Sequence, residues 1–286
     1  MINALTFDVE EYFHAEAFAR VVGPVEWPTL ESRVVGATER ILDLLAETGT
    51  RATFFMLGWV AERHPALVRA VHAQGHEVAC HGYGHQMITR LSRAQFAADL
   101  HRAKAALEDA IGLAVIGYRA PTFSVVRDTL WSLDILAEAG FRYDSSIFPI
   151  VHDRYGIPDA PRFPHRRATG GGGAIAEFPL STVSRLRWRF PVAGGGYFRL
   201  LPYALTAWAV RQLNRKERQP AIVYLHPWEL DLGQPRLPVS RLTQFRHSVN
   251  TRTTERKLRR LVRDFRFAPV RDVLVDSGVM VVGRVA

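Results

Sequence analysis

The first 146 residues alternate short apolar runs with longer segments in which apolar residues recur at helical spacing. The apolar runs predict buried strands over residues 4–7, 52–57, 77–80, 114–118 and 141–143. The longer segments predict helices over residues 32–47, 65–74, 92–111 and 127–139. Strands that alternate with helices of this length imply parallel strands joined by right-handed crossovers, in a barrel or an open sheet.

The pattern changes between residues 147 and 200. This region has six prolines and the glycine runs Gly170–Gly173 and Gly194–Gly196, which predict loops and short hairpins with the glycines at their tips. Helical and strand periodicity then returns, with a helix over 203–215, a strand over 221–225 and an amphipathic helix over 253–265.

Composition limits the class of protein. The chain has 286 residues, of which 48% are hydrophobic, as in one large globular domain with or without an extension. No run of about 18 apolar residues predicts a membrane span, and the N-terminus lacks the pattern of a signal peptide. The single cysteine, Cys80, argues against a disulfide framework and fits a reducing compartment. We therefore expect a cytoplasmic protein.

The positive charge is concentrated near the C-terminus. Residues 236–271 hold eleven Lys or Arg against Glu255 and Asp264, which accounts for the net charge of +9. One interpretation is a docked helix with a solvated basic face. The alternative is attraction to anionic lipid headgroups or an acidic polymer. No nucleic-acid-binding motif accompanies the charge, so nucleic acid ranks below both.

Two short motifs carry candidate chemistry. Asp8 and Glu10 alternate in an apolar run, so both project to one side of a strand. His81 and His85 are four residues apart, about one helical turn, where they can converge on one point. Two histidines and a carboxylate can bind a divalent metal, and a second carboxylate remains for proton transfer. These residues indicate a metal-dependent hydrolase, unless one carboxylate caps a helix and the other is solvated.

Two further residues end predicted strands. Arg119 precedes Pro121 and could pair with Asp8, keeping it ionised as a base, although an ordinary surface ion pair is the alternative. His226 closes the strand over 221–225, and a histidine has a pKa suited to protonating a leaving amine.

In this order, the motifs resemble polysaccharide deacetylases of the NodB homology type (carbohydrate esterase family four). The matching pieces are Thr6-Phe7-Asp8, His81 to His85, Arg119 to Pro121, Asp144 and Leu225-His226. The segments 8–13, 162–165, 194–199 and 226–229 are similar to one subgroup, encoded with bacterial exopolysaccharide synthesis and the exosortase system. The resemblance covers essentially the whole chain.

The resemblance implies an α/β fold, a distorted (β/α) barrel of about seven strands. Residues 1–230 would form the deacetylase domain, with a hairpin-rich insertion over 147–200. Residues 231–286 would be a basic C-terminal extension packed on it.

The resemblance also implies an activity and roles for residues. The protein would be a metal-dependent N-deacetylase acting on N-acetylhexosamine units of an exopolysaccharide or its precursor. A divalent ion, zinc, would be held by Glu10, His81 and His85. Asp8 would be the base, and Arg119 would orient it. His226 would be the acid, tuned by Asp144, and a backbone N–H near Tyr83 would help to stabilise the oxyanion.

This sequence departs from the family pattern at two positions. Val9 stands where the family has a second aspartate that binds the metal, so Glu10 would take over as ligand because positions i and i+2 share a face of a strand. Gly82 replaces the usual Ser or Thr of the histidine motif. Asp144-Ser145-Ser146 matches its motif only loosely, and the tryptophan that often follows is missing.

The expected partner is an N-acetylated saccharide, with an anionic membrane surface as a second candidate through residues 236–271, at the inner face of the membrane. Several aromatic residues could stack on sugar rings, or could equally be core: Tyr12, Phe13, Phe123, Trp188, Tyr197, Phe198 and Trp228. Two other functions stay open. One is hydrolysis of a small non-sugar amide; the other is a saccharide-binding relative whose active site has decayed.

Overall fold

The structure is a computed structural model that describes residues 1–185, 188–192 and 194–281. The strands are β1 Ile2–Val9, β2 Thr53–Met56, β3 Glu77–Cys80, β4 Gly117–Tyr118, β5 Tyr143–Asp144, β6 His165–Ala168, β7 Ala174–Glu177, β8 Thr182–Arg185, β9 Trp188–Pro191, β10 Ile222–Leu225 and β11 Arg266–Ala268. The helices are α1 Val34–Ala46, α2 Gly58–Arg63, α3 Pro65–Ala73, α4 Arg93–Ile111, α5 Ser132–Glu138, α6 Gly195–Leu200, α7 Tyr203–Arg211, α8 Arg241–Ser248, α9 Thr251–Asp264 and α10 Val270–Asp276.

A nine-stranded sheet forms the centre of the fold. Seven neighbouring strands, in the order β10–β1–β2–β3–β4–β5–β7, run parallel, and β6 is antiparallel to β7 at the end of the row. The short strand β11 pairs with the start of β1. The predicted α/β fold is confirmed, and a row of seven parallel strands is consistent with the expected barrel. Parallel strands bring their carboxyl ends to one edge, where loops can assemble a site.

Strand β1 has a different environment on each face. Leu5, Phe7 and Val9 pack into the larger apolar core beneath the helices, together with residues of β2 and α1. On the other face, Ala4 joins a second core that includes Phe55. Since side chains alternate along a strand, Thr6 and Asp8 share the face of Ala4 and point to the interior. The strand is buried almost throughout, which explains its nearly continuous apolar sequence.

The region 147–200 agrees with the prediction in part. The run Gly170–Gly173 lies at the tip of the hairpin that joins β6 to β7, as predicted, and β8 and β9 form a second hairpin. However, β7 also pairs in parallel with β5, so this region completes the central sheet.

The prediction for Gly194–Gly196 is wrong. These glycines begin α6, and Gly194 (φ +139°) forms a parallel bridge with Tyr224 of β10. A Cβ atom at Gly194 would lie 1.8 Å from the carbonyl oxygen of Tyr224. The glycine therefore permits a close approach of two backbones rather than a hairpin turn.

Two predicted helices differ in detail. The helix over 127–139 is split into a single 3₁₀ turn, Arg127–Thr129, followed by α5. The helix over 203–215 continues beyond α7 as a π-helical segment, Gln212–Glu217.

The C-terminal region packs closely on the rest of the fold. Leu258, Leu261 and Val262 of α9 are buried in the larger core, and Val273 and Leu274 of α10 are buried in the second. This confirms the apolar face predicted for the helix over 253–265. Among the described residues, no helix is both long and apolar enough to span a lipid bilayer.

Candidate active site

The first strand brings two carboxylates to the carboxyl edge of the sheet. Asp8 is the penultimate residue of β1, and Glu10 follows directly after the strand. Each is only 2% exposed, and both line one small cavity. The predicted convergence of Asp8 and Glu10 is therefore present in the structure.

The two histidines follow β3 on a tight loop. His81 and His85 have ring centroids 5.5 Å apart, but the segment between them is not helical. Gly82 (φ +74°) and His85 (φ +51°) are in the left-handed region, which reverses the chain and brings the second imidazole beside the first. The two imidazoles therefore converge as predicted, by way of a left-handed loop rather than a helical turn.

The carboxylate of Asp99 on α4 holds this loop. Its oxygens accept hydrogen bonds from the backbone N–H of Tyr83 (2.8 Å) and of Gly84 (3.3 Å). Asp99 therefore stabilises the histidine loop from a neighbouring helix. The loop itself has no hydroxyl side chain at position 82, where the residue is Gly82. The N–H of Tyr83 is occupied by this bond, which corrects the expectation that it helps to stabilise an oxyanion.

One ring nitrogen of His81 is fixed by the backbone. Its Nδ1 lies 2.8 Å from the carbonyl oxygen of Arg119, which can only accept, so Nδ1 carries the proton. Burial lowers the pKa of His81 to about 4, which keeps the ring neutral. Nε2 is therefore left with a free lone pair, the state that binds a metal.

Glu10, His81 and His85 form a potential metal site. One ligand atom from each lies within 4.8 Å of the others. Oε2 of Glu10 is buried and lies 2.6 Å from Nε2 of His85. Burial disfavours the ionised carboxyl of Glu10, but His85, His226 and His81 together hold its pKa well below its usual range. A buried, ionised carboxylate beside two imidazoles fits a divalent cation.

Arg119 pairs with Asp8 inside the protein rather than at the surface. Its side chain is fully buried, and Nη1 donates to Asp8 Oδ1 and to Thr6 Oγ1, both at 2.7 Å. The other nitrogens, Nε and Nη2, donate to the carbonyl oxygen and the hydroxyl of Ser145, each at 3.0 Å. The guanidinium also lies 4.1 Å from the ring centroid of Phe55. These contacts fix the carboxylate of Asp8 in one orientation.

His226 lies opposite the histidine loop. Its Nε2 is 4.0 Å from Asp8 Oδ2 and 3.8 Å from Glu10 Oε1. Its Nδ1 is 2.8 Å from Oε1 of Glu229, three residues later. Burial alone would lower the pKa of His226, but Glu229, Glu10 and Asp8 raise it to about 9. The ring is therefore protonated near neutral pH.

Glu229 takes the place that the sequence assigned to Asp144. Glu229 is fully buried, and its Oε2 accepts a hydrogen bond from Nε of Arg199 at 2.7 Å. Arg199 is itself held by the backbone carbonyl oxygens of residues 246, 247 and 249. The chain Arg199–Glu229–His226 connects the C-terminal region to the cavity.

Asp144 is buried nearby but bonds elsewhere. Oδ1 of Asp144 accepts from the hydroxyl of Ser146 at 2.5 Å, and that hydroxyl accepts the backbone N–H of Ala120 at 2.7 Å. Burial and the neighbouring charge of Asp144 raise the pKa of Glu177 well above its usual value, so this pair of carboxyls retains a proton. Asp144 thus supports the loop after Arg119 and does not contact His226.

Three supporting residues were given no role from the sequence: Glu229, Arg199 and Asp99. Glu229 and Arg199 lie in the segments 226–229 and 194–199 that resemble the subgroup, and Glu229 also follows His226 at a spacing of three in a short buried turn. Trp228, named only as an aromatic candidate, donates from Nε1 to Oε1 of Glu10 at 3.0 Å. The partners of Arg199 and Asp99 lie 30 and about 15 residues away in sequence, so these contacts could not be predicted.

The cavity at this edge has a volume of about 170 Å³. Its aromatic walls are Phe123, Tyr155, Tyr224 and Trp228. Of the predicted stacking residues, Phe123 and Trp228 therefore line the cavity, whereas Tyr12, Phe13 and Phe198 are core. The cavity has the size of a small acyl-bearing group rather than of a whole sugar chain.

Comparisons with known proteins identify the N-terminal half. The sequence model of the polysaccharide deacetylase family matches residues 4–143, the segment that contains the candidate metal ligands and Arg119. A second model, described as a domain of unknown function (DUF3473), matches residues 145–275. Residues 4–143 are therefore a polysaccharide deacetylase domain, as the resemblance of the motifs predicted.

A curated relative agrees with the match over the N-terminal half. A chitooligosaccharide deacetylase from Sinorhizobium fredii is 36% identical over 100 residues, which are 35% of this chain and 44% of that protein. The matched segment spans less than half the length of the curated relatives.

Two solved structures share the fold along nearly the whole chain. A polysaccharide deacetylase from Mycobacterium smegmatis has a TM-score of 0.64 at 23% identity, covering 100% of this chain and 94% of that one. A pseudoenzyme of carbohydrate esterase family four from Bacillus anthracis has a TM-score of 0.50 at 14% identity, covering 96% and 65%. Since the same fold occurs in a pseudoenzyme, activity has to be argued from the site itself.

Proposed function

We propose that this protein is a metal-dependent N-deacetylase that removes acetyl groups from N-acetylhexosamine units of an exopolysaccharide or its precursor. The observation that carries the proposal is the convergence of Glu10, His81 and His85 with Asp8 and His226 on one cavity. These are the groups that hydrolysis of an amide requires: a metal site, a base and an acid.

Glu10, His81 and His85 would hold the cation, with zinc suited to two imidazoles and a carboxylate. When bound, such a cation polarises an amide carbonyl and lowers the pKa of water. The surrounding chain prepares the ligands. Trp228 orients the Glu10 carboxylate, and the carbonyl of Arg119 sets the tautomer of His81.

Asp8 is placed to act as the base. One of its oxygens is bonded to Arg119, and the other faces the cavity, 4.0 Å from His226. Hydrolysis forms a bond between the oxygen of water and the acetyl carbon, and Asp8 takes the proton that this water loses. The fixed orientation of the carboxylate contributes to the rate because the base needs no rearrangement.

His226 is placed to act as the acid. Breaking the bond between carbon and nitrogen requires a proton on the departing sugar amine, and Nε2 of His226 supplies it. The contact of Nδ1 with Glu229 keeps the ring protonated and fixes its orientation. The products are acetate and a saccharide with a free amine.

A saccharide is favoured over a small amide by the surroundings of the cavity. A larger cleft is adjacent to the cavity, and Ala15, Glu16 and Trp228 line both. A chain of sugars can extend along such a cleft while one acetamido group enters the cavity. A small amide would fill the cavity alone and would not contact the cleft.

The basic C-terminal region supports a location at the inner face of an anionic membrane, which we propose as the place of action. Arg252, Arg256 and Arg263 on α9 are exposed, while Arg259 is paired with Glu47 and Glu255. Flotation with anionic liposomes at low salt tests this. Absence of binding there would contradict it.

The test of the activity is acetate release from N-acetylated oligosaccharides by metal-stripped protein, with and without added zinc. Release that depends on zinc is expected. Tight binding of zinc without release from any N-acetylated saccharide would contradict the deacetylase proposal.

A further inference from the structure

The cleft beside the active-site cavity is not used by the proposed chemistry. Its volume is about 880 Å³, within the range of roughly 300–1,000 Å³ typical of ligand-binding clefts. Ala15, Glu16 and Trp228 line both spaces, so the cleft and the cavity are adjacent.

Five arginines line this cleft, and they come from distant parts of the sequence. They are Arg20, Arg90, Arg154, Arg199 and Arg246. We call this space the arginine cleft. Its acidic lining residues are Glu16 and Asp153, so positive charge is in excess.

Two of these guanidinium groups lack a carboxylate partner. Arg90 is paired with Glu16, Arg199 with Glu229, and Arg154 lies 3.9 Å from Asp153. In the part of the chain that the structure describes, Arg20 and Arg246 form no ion pair, and both are exposed.

The indole of Trp228 is stacked between two imidazoles, that of His226 in the cavity and that of His247 in the arginine cleft. The centroids of Trp228 and His247 are 4.3 Å apart, and their planes are 21° from parallel. Burial lowers the pKa of His247 to about 4, so this ring adds no charge. Since both rings are buried, the arginines are the groups that the cleft offers to a ligand, and they suit an anion.

We propose that the arginine cleft binds a negatively charged group of the saccharide substrate, a carboxylate or a phosphate, carried next to the N-acetylhexosamine that is deacetylated. This inference rests on the proposed function and adds the chemical class of its substrate: an acidic saccharide rather than a neutral one.

The chemistry of the guanidinium group supports this choice. It offers planar pairs of N–H donors that match both oxygens of a carboxylate or phosphate. A neutral glycan would leave the guanidinium groups of Arg20 and Arg246 without an anionic partner. A location beside the cavity also allows the anion to set which sugar unit presents its acetamido group.

The experiment compares two anionic probes with two neutral references by calorimetry, using the zinc-loaded protein at low salt. A hyaluronan tetrasaccharide, in which glucuronate alternates with N-acetylglucosamine, supplies carboxylates, and its neutral reference is tetra-N-acetylchitotetraose. N-acetylglucosamine 1-phosphate supplies a phosphate, and its neutral reference is N-acetylglucosamine. The variant is Arg20→Gln/Arg246→Gln. The control is Arg69→Gln on α3, because Arg69 is also exposed and does not line the cleft.

At least one anionic probe is expected to bind the wild-type protein about tenfold more tightly than its neutral reference, tetra-N-acetylchitotetraose or N-acetylglucosamine, which corresponds to about 1.4 kcal/mol. The double variant should lose that preference without weaker binding of the neutral reference, and Arg69→Gln should keep it. The probe that shows this dependence identifies carboxylate or phosphate as the group. Equal binding of acidic and neutral probes, or a preference that survives in the double variant, would overturn the inference.

Acetate release, measured on the same samples, separates this inference from the activity. If the arginine-dependent preference is present and no probe releases acetate, the inference on the ligand stands and the deacetylase proposal fails. If acetate is released with the same KM from neutral and acidic saccharides, and the double variant leaves it unchanged, the activity stands and the inference fails.

Discussion

Replacing Glu229 with Gln tests the assignment of His226 as the acid. The change keeps the shape of the side chain but removes the charge that lies 2.8 Å from Nδ1 of the histidine. Arg199 keeps its bonds to three backbone carbonyl oxygens, so the local structure has other support. We expect the variant to fold and to bind zinc.

The magnitude follows from the contacts of His226. The carboxylates that face it are Glu229, Glu10 and Asp8, and together they raise its pKa to about 9 despite burial. A bound cation would offset the charge of Glu10, and the charge of Asp8 is already paired with Arg119. Glu229 is therefore the main cause of the raised pKa of His226. A hydrogen bond to a charged group contributes about 1.5–3 kcal/mol. At 1.36 kcal/mol per pKa unit, its loss should lower the pKa of His226 by about one to two units.

The assay is the pH dependence of kcat for zinc-dependent acetate release. The acid must be protonated, so activity declines as pH rises through the pKa of His226. In Glu229→Gln this decline should occur about one to two pH units lower than in the wild-type protein. Glu255→Gln, a change of the same type on α9, should leave the profile unchanged. A profile of unchanged shape with only a uniform decrease in rate would refute the role of Glu229 in holding the proton on His226.

Two further substitutions test the residues that position Asp8 and the loop of His81 and His85. Arg119→Lys removes the fork that joins Asp8 to Ser145, so kcat for acetate release should fall roughly 100-fold while zinc is retained; an unchanged kcat would contradict this. Asp99→Ala frees the loop that carries both histidines, and zinc affinity, measured by chelator competition, should fall about 10–100-fold. Asp109→Ala, an exposed change on the same helix, is the control, and equal losses in the two variants would contradict a specific role for Asp99.

The sequence was sufficient to predict the residues that end strands. Asp8 and Glu10 follow from the period of a strand, and a parallel sheet brings the ends of β1, β3, β4 and β10 to one edge. The same period predicted that Glu10 replaces the metal-binding aspartate of the family, because this chain has Val9 at the aspartate's position. The structure places its carboxylate beside both imidazoles.

The contacts between distant segments could not be predicted. Asp144, which the family resemblance offered as the partner of His226, lies in a distant segment, and its position relative to His226 depends on packing. The structure shows that Asp144 bonds to Ser146 instead, while Glu229, three residues after His226, reaches Nδ1. Arg199 had no periodic or compositional signal, because its partners are a side chain and carbonyl groups of separate elements.

Glycine runs were the other source of error. Both runs were assigned to hairpin tips, and this was correct for Gly170–Gly173 only. At Gly194 the reason for glycine is the carbonyl of Tyr224, which leaves no space for a Cβ atom. A close approach of two backbones and a turn place the same demand on the residue, so the sequence alone does not separate them.

The most direct test of the account is the Asp8→Asn variant, in which bound zinc and acetate release are measured on the same preparation. The account assigns Asp8 to proton transfer and Glu10, His81 and His85 to the metal. It therefore predicts one zinc ion per chain, as in the wild-type protein, and no detectable acetate release. Loss of zinc in the variant would make Asp8 a ligand, and release of acetate at the wild-type rate would show that Asp8 is not the base.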